Sequence, residues 1–321
     1  MIQAYALQGG LLVPVAVTGE GRDTAVWIDM VAPTDADEAL VEEWLGIDVP
    51  TRDEMDEIEL SSRLYSEDDV HFMTAAVTAN THQERPEIGS VTFILGAGKL
   101  VTVRYIEPST FTRFAERAGR SPLGCTNATS LLLALLEAIV GRAADVIEQV
   151  GSDIGDLSER IFYPAARKAS RRDRDFQLIL RKIGRKEELL ASLQDSLHTL
   201  QRVAGYLAYV TDREKDHRHR IRSLSRDVTS LADYSERLSQ KIFFLLDATL
   251  GMISIEQNAI IKIVSVLATI FLPPTLVASI YGMNFDFMPE LHWTYGYPLA
   301  LLAMVAAAAL PFWYIKKKGW L

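Results

Sequence analysis

Cysteine is almost missing from this 321-residue chain; Cys125 is its only one. A lone thiol excludes an internal disulfide and fits a reducing cytosol. Histidine is scarce too, with six scattered copies. His217 and His219 are two apart, so they leave a helix on different faces. His71 sits in a strand pattern. No nucleophile–base pair stands out, and no phosphate-cradling P-loop pattern is present, which argues against an enzyme and against an ATP-driven pump. Met1–Tyr5 lacks a basic start and no long apolar run follows, so no signal peptide is expected. There is no internal repeat and no low-complexity linker.

Charge is absent from two stretches near the C-terminus. Residues 263–280 carry none over 18 positions, and residues 297–315 carry none over 19. A bilayer core roughly 30 Å thick needs about 20 apolar helical residues. Both stretches are therefore expected to cross a membrane. Basic residues are also absent from the connection 281–296, whereas Lys316, Lys317 and Lys318 follow the second stretch. Positive residues stay on the cytoplasmic side. Both termini are thus expected in the cytosol of a multi-pass protein of the inner (cytoplasmic) membrane. Tyr281, Trp293, Tyr295 and Tyr297 would form the outer aromatic belt, and Trp313, Tyr314 and Trp320 the inner one.

Upstream, residues 1–122 read as a mixed α/β domain. Leu11–Val17, Ala25–Met30, Asp69–Ala79, Ser90–Leu95 and Leu100–Tyr105 are β-branched and aromatic runs. Gly96-Ala97-Gly98 has hairpin-turn chemistry. Thr34 caps a helix expected to stop at Gly46, Thr51 and Glu54 form a capping box, and Pro108 opens a helix ending by Gly119. From Asn127 the pattern is helical almost without break. One helix is expected over Asn127–Phe162, stopped by Pro164, and a second from about Arg171 to Val210. A third begins near His217 with no clear stop before Ile280, spanning roughly 95 Å at about 1.5 Å per residue. Such a helix needs partners.

The net charge of −9 hides two opposite regions. Residues 31–70 hold 14 acids against Arg52 and Arg63, while residues 160–190 hold ten Lys or Arg against four acids. The plain reading of each is a solvated face. A sharper one has the acidic surface gathering divalent cations between subunits. The basic stretch comes without a recognition motif or interleaved aromatics, so no nucleic-acid partner is expected.

Alternating steps of four and three residues along the third helix pick out Asp247, Gly251, Ser254, Asn258, Ile261, Ser265, Ala268, Leu272, Thr275 and Ser279. They share one helix face. It is mostly small or polar, while neighbouring stripes are bulky, as with Leu250, Ile253, Ile260, Val264, Leu267 and Phe271. Such a stripe suits either a close-packed seam or a water-lined path. The Tyr281-Gly282-Met283-Asn284-Phe285 turn above it favours the path, with Ile261 and Leu272 as narrow apolar collars. Two crossings cannot enclose water, so several copies around an axis are required. Pro273-Pro274 predicts a kink near the outer end.

The Leu272–Ser279 run, the Tyr281–Phe285 turn, Met288-Pro289-Glu290-Leu291 and the closing Lys316–Leu321 tail resemble the CorA magnesium transporters. The match is close over roughly the last 80 residues and rests on architecture and length upstream. The resemblance implies an α+β cytosolic domain (a mixed α/β sandwich), a funnel of long helices and a C-terminal two-helix transmembrane hairpin. In those terms the chain divides into the α/β domain 1–122, long cytosolic helices 123–258, a pore-lining first transmembrane helix 259–280, an extracytoplasmic loop 281–296, a second transmembrane helix 297–315 and a basic tail 316–321. It further implies a homopentamer passing hydrated Mg²⁺, with Co²⁺ and Ni²⁺ as further substrates, down the electrochemical gradient. Gly282, Met283 and Asn284 would form the selectivity ring. Asn258 matches the inner pore asparagine, Asp247 the acidic ring at the inner mouth, and Leu272 and Thr275 further pore positions. Asp286 and Glu290 would concentrate cations outside. Mg²⁺ is also the implied regulatory ligand, with Asp68, Asp69 and Asp227 as candidates. One departure is the basic stretch around Pro164, with Arg167, Lys168, Arg171, Arg172 and Arg174. It looks more like the zinc-transporting ZntB branch, which usually departs from Gly-Met-Asn and lacks Met-Pro-Glu-Leu. The alternatives are therefore a zinc transporter of that branch, or a non-conducting membrane sensor or scaffold.

Overall fold

The computed structural model describes residues 1–17, 21–57, 59–81, 83, 86–163, 169–211, 215–283 and 288–319. Two units emerge from its packing, Met1–Leu246 and Asp247–Leu321.

The first unit contains seven strands: β1 (Ile2–Gln8), β2 (Leu11–Val15), β3 (Ala25–Val31), β4 (Leu64–Glu67), β5 (Val70–Ala79), β6 (Glu87–Gly96) and β7 (Lys99–Arg104). They form one sheet in the order β2-β1-β3-β7-β6-β5-β4. Only the β3–β7 pair is parallel. Short helices α1 (Gly21–Thr24), α2 (Asp35–Leu45), α3 (Arg52–Asp56) and α4 (Leu60–Arg63) lie between β3 and its neighbours in sequence, and α5 (Ser109–Arg120) follows β7. Three long helices come next: α6 (Ala128–Phe162), α7 (Ala169–Val210) and α8 (Lys215–Tyr281).

Turn chemistry sets the sheet register. Gly9-Gly10, Asp68-Asp69 and Ala97-Gly98 each hold two successive residues at positive φ between paired strands. That is the two-residue hairpin geometry whose twist matches the flanking strands. The expected Gly96–Gly98 turn is one of them. Asp69, expected to open a strand, instead belongs to the Asp68-Asp69 turn, and β5 starts at Val70; strands β1 and β4 lie outside the runs expected from the sequence because they are short and mixed in composition.

Alternation then divides the apolar residues between two faces. Ile28, Met30, Phe72, Ile94, Val101 and Val103 join Val41 and Met55 of α2 and α3 in one core. Trp27, Met73, Ala75, Val91, Phe93 and Leu100 join α5, α6 and α7 in the other. The capping box expected at Thr51 is present, the expected cap at Thr34 forms a second box with Asp37, and Gly46 closes α2 at φ 66°. Asn127 caps α6 with a third. Where β4 ends, the open edge of β5 is met by α7. Thr199 accepts from the Ala76 amide at 2.9 Å and donates its own proton to the Ser196 carbonyl at 2.9 Å, with the Ala76 carbonyl farther off at 3.4 Å. One hydroxyl thus takes up a backbone amide of an otherwise unpaired edge.

Within the sheet, Arg104 donates to both oxygens of Asp29, at 3.1 and 2.8 Å. Thr102 adds a bond to Asp29 at 2.7 Å, and Trp27 donates to Thr102 at 3.0 Å. Breaking one member of so buried a pair costs about 3–5 kcal/mol.

Helix α8 contributes to both units. Its lower half buries His217, Ile221, Leu224, Val228, Ser235, Leu238, Ile242, Leu245 and Thr249, with Leu231 half-buried. Spacing alternates three and four, the pattern of a coiled-coil seam. Gly151 of α6 allows close approach: a Cβ there would stand 2.9 Å from the Tyr234 hydroxyl. Polar ties join the three helices, including Arg220 to Glu137 at 2.8 Å and Ser239 to Glu187 at 3.0 Å. The second unit holds the rest of α8, a 3₁₀ turn (Pro289–His292) and α9 (Gly296–Lys317).

Candidate functional site

The site is built on the upper half of α8. All ten stripe residues, Asp247, Gly251, Ser254, Asn258, Ile261, Ser265, Ala268, Leu272, Thr275 and Ser279, lie on one continuous helix and are exposed. Continuing the buried seam upward gives Met252, Glu256, Ala259, Ile263, Val266, Ile270, Pro273 and Val277. Of these only Val266 is fully buried, while Met252, Glu256, Ile270, Pro273 and Val277 are half-buried and Ala259 and Ile263 are exposed. Each stripe residue precedes a seam position by one or two, hence by about 100° or 200° of helix rotation. The polar stripe therefore points away from the face this chain uses for its own packing. A seam reading from sequence was available in Ile221–Leu245, whose heptads carry the same signal.

The surroundings are strongly apolar and exposed. Ile260, Ile263, Val264, Leu267, Phe271 and Leu276 on α8, and Leu301, Leu302, Val305 and Leu310 on α9, are each at least 44% exposed. So much open apolar surface marks a lipid or subunit contact. Both helices are long and apolar enough to cross a bilayer. Trp313 and Tyr314 at the end of α9 lie under the ammonium groups of Lys317 and Lys318, at 5.2 and 5.9 Å. Amphipathic aromatics beside lysines suit a headgroup layer.

Pro273 and Pro274 lie inside α8 and lack amide hydrogens. The carbonyls of Thr269 and Ile270 therefore lose their usual partners one turn on. Threonine hydroxyls bind into the same region: Thr275 donates to the Phe271 carbonyl at 2.7 Å and Thr269 to that of Ser265 at 2.8 Å. With its proton committed inward, Thr275 presents oxygen lone pairs outward. Such an acceptor suits the water shell of a cation.

Helix α8 closes through Gly282, whose amide donates to the Ala278 carbonyl at 2.9 Å, and Met283, which donates to Ile280 at 3.3 Å. A Cβ on Gly282 would stand 3.2 Å from the Ala278 carbonyl oxygen, so glycine keeps this ending tight. Met283 is 47% exposed. Asn284 and Asp286 lie outside the described residues, and Glu290 is described only in its backbone, within the 3₁₀ turn.

The regulatory candidates are placed apart from this stripe in sequence. Asp68 and Asp69 occupy the tip of the β4–β5 hairpin at φ 47° and 63°, both exposed. Asp227 is exposed on the lower half of α8. Among the described residues of one chain, no three His, Cys, Asp or Glu converge as a metal site. His71 does lie in a strand, β5. Burial pushes its imidazole below the ordinary value, against an opposing pull from Asp69.

Residues 22–317 match the family described as CorA-like Mg²⁺ transporter protein. The "Magnesium transport protein CorA" of Haemophilus influenzae is 35% identical over 321 residues, covering 100% of both chains. Among solved structures, the complete CorA magnesium transporter of Methanocaldococcus jannaschii superposes with a TM-score of 0.78 at 19% identity, over 100% of this chain and 99% of that one. The ZntB cytoplasmic domain of Vibrio parahaemolyticus gives a TM-score of 0.57 at 13% identity, over 78% of this chain and 97% of that one. The last two likenesses establish the fold; full-length identity and the family match establish kinship. The chain belongs to the CorA-like Mg²⁺ transporter family, whose members are membrane transporters and not enzymes.

Proposed function

We propose that five copies of this chain surround an axis, with the α8 stripes lining a water-filled path for hydrated Mg²⁺. The reading rests on one observation above all: ten exposed residues in register, eight of them small or polar and two, Ile261 and Leu272, apolar, on a face rotated away from the intrachain seam. Cyclic symmetry turns each such residue into a ring. Thr275, Asn258 and the serines supply oxygen acceptors. Ile261 and Leu272 supply apolar constrictions, and Asp247 an acidic ring at the inner mouth.

Gly282, Met283 and Asn284 act as the outer filter. Mg²⁺ sheds water reluctantly. A ring of asparagine amide oxygens accepts hydrogen bonds from the hydration shell without stripping it, which selects by size and charge. Asp286 and Glu290 raise the local cation concentration. With both termini in the cytosol and an inside-negative inner membrane, a divalent ion gains about 4.6 kcal/mol per 100 mV on entry. Influx on that scale calls for a brake. Cytosolic Mg²⁺ held between copies, by Asp68 and Asp69 of one and Asp227 of the next, supplies it. Co²⁺ and Ni²⁺ are further substrates.

The test is Mg²⁺ uptake into proteoliposomes under an inside-negative potential, with wild type and Asn284→Ala side by side and with Zn²⁺ and Co²⁺ as competitors. Potential-driven Mg²⁺ entry lost in the variant supports the reading. Full uptake by the variant removes Asn284 from the filter. Zn²⁺ flux without Mg²⁺ flux moves the protein to zinc transport, and no flux of any ion makes it a sensor or scaffold.

A further inference from the structure

Phenylalanine breaks the pattern of the lower half of α8. From His217 to Leu246 its exposed residues are charged or polar apart from Tyr234, Phe243 and Phe244. Phe243 and Phe244 are 54% and 60% exposed. Phe162, the last residue of α6, is 43% exposed and stacks on Phe244 with ring centroids 5.9 Å apart. Three phenylalanine rings open to water at one height form an apolar patch, and such a patch marks a contact with another molecule.

Helix packing gives α8 two unlike flanks. On one side lies α6, where Arg220 pairs with Glu137 and Gly151 stands against Tyr234. On the other lies α7, where Ser239 bonds to Glu187 and Thr229 to Gln201. Phe243 repeats the position of Thr229 two heptads on, which puts it on the α7 flank. Phe244 stands about 100° round the helix from it, on the α6 flank, where it meets Phe162. It also shares the heptad position of Gly251, Asn258 and Ser265 in the stripe. Charge follows the same division. Beside Phe244 are Arg237, held over the Tyr234 ring at 5.6 Å, and Lys241, with Glu159 of α6 farther out. Beside Phe243 are Glu236 and, on α7, Glu187, with Arg181 and Glu188 farther out. The α6 flank is therefore net basic at this height and the α7 flank net acidic.

A ring brings these unlike flanks together: with the stripe inward, the α6 flank of each copy meets the α7 flank of the next at the same height. In a ring of five, the two neighbours lie in directions about 108° apart. Phe243 and Phe244 diverge by about 100°, so one ring is aimed at each neighbour. We propose that Phe243 of each copy docks on the Phe162–Phe244 pair of the next, with Glu236 facing Arg237 and Lys241 across the joint. The partner of this patch is thus a second copy of the chain, and the clasp rests on the five-copy arrangement proposed above. It lies one helical turn before Asp247, so it fixes the spacing of the chains next to the inner mouth. Aromatic anchors in a water-excluded joint carry most of an interface's binding energy.

Disulfide cross-linking of the full chain in detergent tests it, in a Cys125→Ala background that removes the native thiol. A chain carrying Phe243→Cys and Phe244→Cys together should, on oxidation, give a ladder of linked chains that ends at five. Adjacent positions on one helix point apart and do not bridge each other. Either substitution alone should lower the linked fraction at least about tenfold, because a head-to-tail joint brings unlike positions together. Glu236→Cys with Arg237→Cys, one heptad earlier, removes no apolar ring and serves if the phenylalanine pair does not fold; the same ladder is expected. Asp247→Cys with a bifunctional maleimide reports the ring of stripes by itself. Links at Asp247→Cys with none at either pair leave the ring standing and overturn the clasp. No links at any position remove the five-copy reading and the clasp with it. Dimers from Phe243→Cys alone show like faces paired across a two-fold axis and overturn the clasp.

Discussion

The two halves of α8 share one helix and one heptad phase, yet solve opposite problems. Below Thr249, Leu224, Val228, Leu238, Ile242 and Leu245 are all under 7% exposed, covered by this chain's own packing. Above it, Ile260, Ile263, Val264, Leu267 and Phe271 are 50–65% exposed. The lower half follows the rule for water-soluble helices, an apolar stripe turned inward. The upper half inverts it: exposed and apolar over most of its surface, with Gly251, Ser254, Asn258, Ser265, Ala268, Thr275 and Ser279 on one face and its charged residues, Glu256 and Lys262, confined to its first turns. That inversion is what a bilayer demands, because lipid rewards apolar surface and penalises exposed polar groups.

The largest effect is expected on the stripe. Ala268→Lys would place a ring of ammonium groups in the proposed path, and Mg²⁺ uptake in proteoliposomes should fall below detection while the oligomer persists. Normal uptake by that variant would show that the stripe does not face the ion. Next come paired truncations that set the two halves against each other. Leu224→Ala empties a buried seam site and should cost about 2–5 kcal/mol. Leu267→Ala should stay within about 0.5 kcal/mol. Thermal unfolding of the full chain in detergent separates the two, and equal costs would mean that the upper half is packed as tightly as the lower. A subtler change is expected at Asp247→Ala, where uptake should respond less to cytosolic Mg²⁺. An unaltered response curve removes Asp247 from the inner mouth.

The smallest effect concerns the Asp153–Lys186 bridge. Both side chains are about 30% exposed or less, so Asp153→Asn should cost only about 0.5–1 kcal/mol at neutral pH. The folded-state pKa of Asp153 is depressed. Its contribution is therefore full above the unfolded carboxyl value near 3.9 and disappears as pH falls through the lower folded value. Wild type and variant should converge in stability at acid pH. A gap that persists there would assign the loss to packing and not to charge.

Much of this was legible in the residues. Asn127, Thr34 and Thr51 announced helix starts because a side-chain oxygen must satisfy orphan amides. The uncharged runs announced the spanning helices because a bilayer admits little else. Ala97-Gly98 announced its hairpin through backbone conformations that few residues tolerate. By contrast β1 and β4 have ordinary, mixed sequences, and became strands because neighbouring edges needed pairing. The basic stretch over residues 160–190 was visible only as a count of charges. That Lys186 is matched by Asp153 depended on how two consecutive helices lie side by side.

The sequence by itself determined the elements whose causes are local or solvent-driven: caps, two-residue turns, membrane spans and the periodic stripe. Only the tertiary structure decided that the stripe is turned away from the intrachain seam, that Thr199 takes up an amide of the β5 edge, and that Asp29 and Arg104 meet within the sheet. Periodicity specifies which residues share a face. Which face is covered depends on the surface offered by another part of the chain, and that surface exists only after folding.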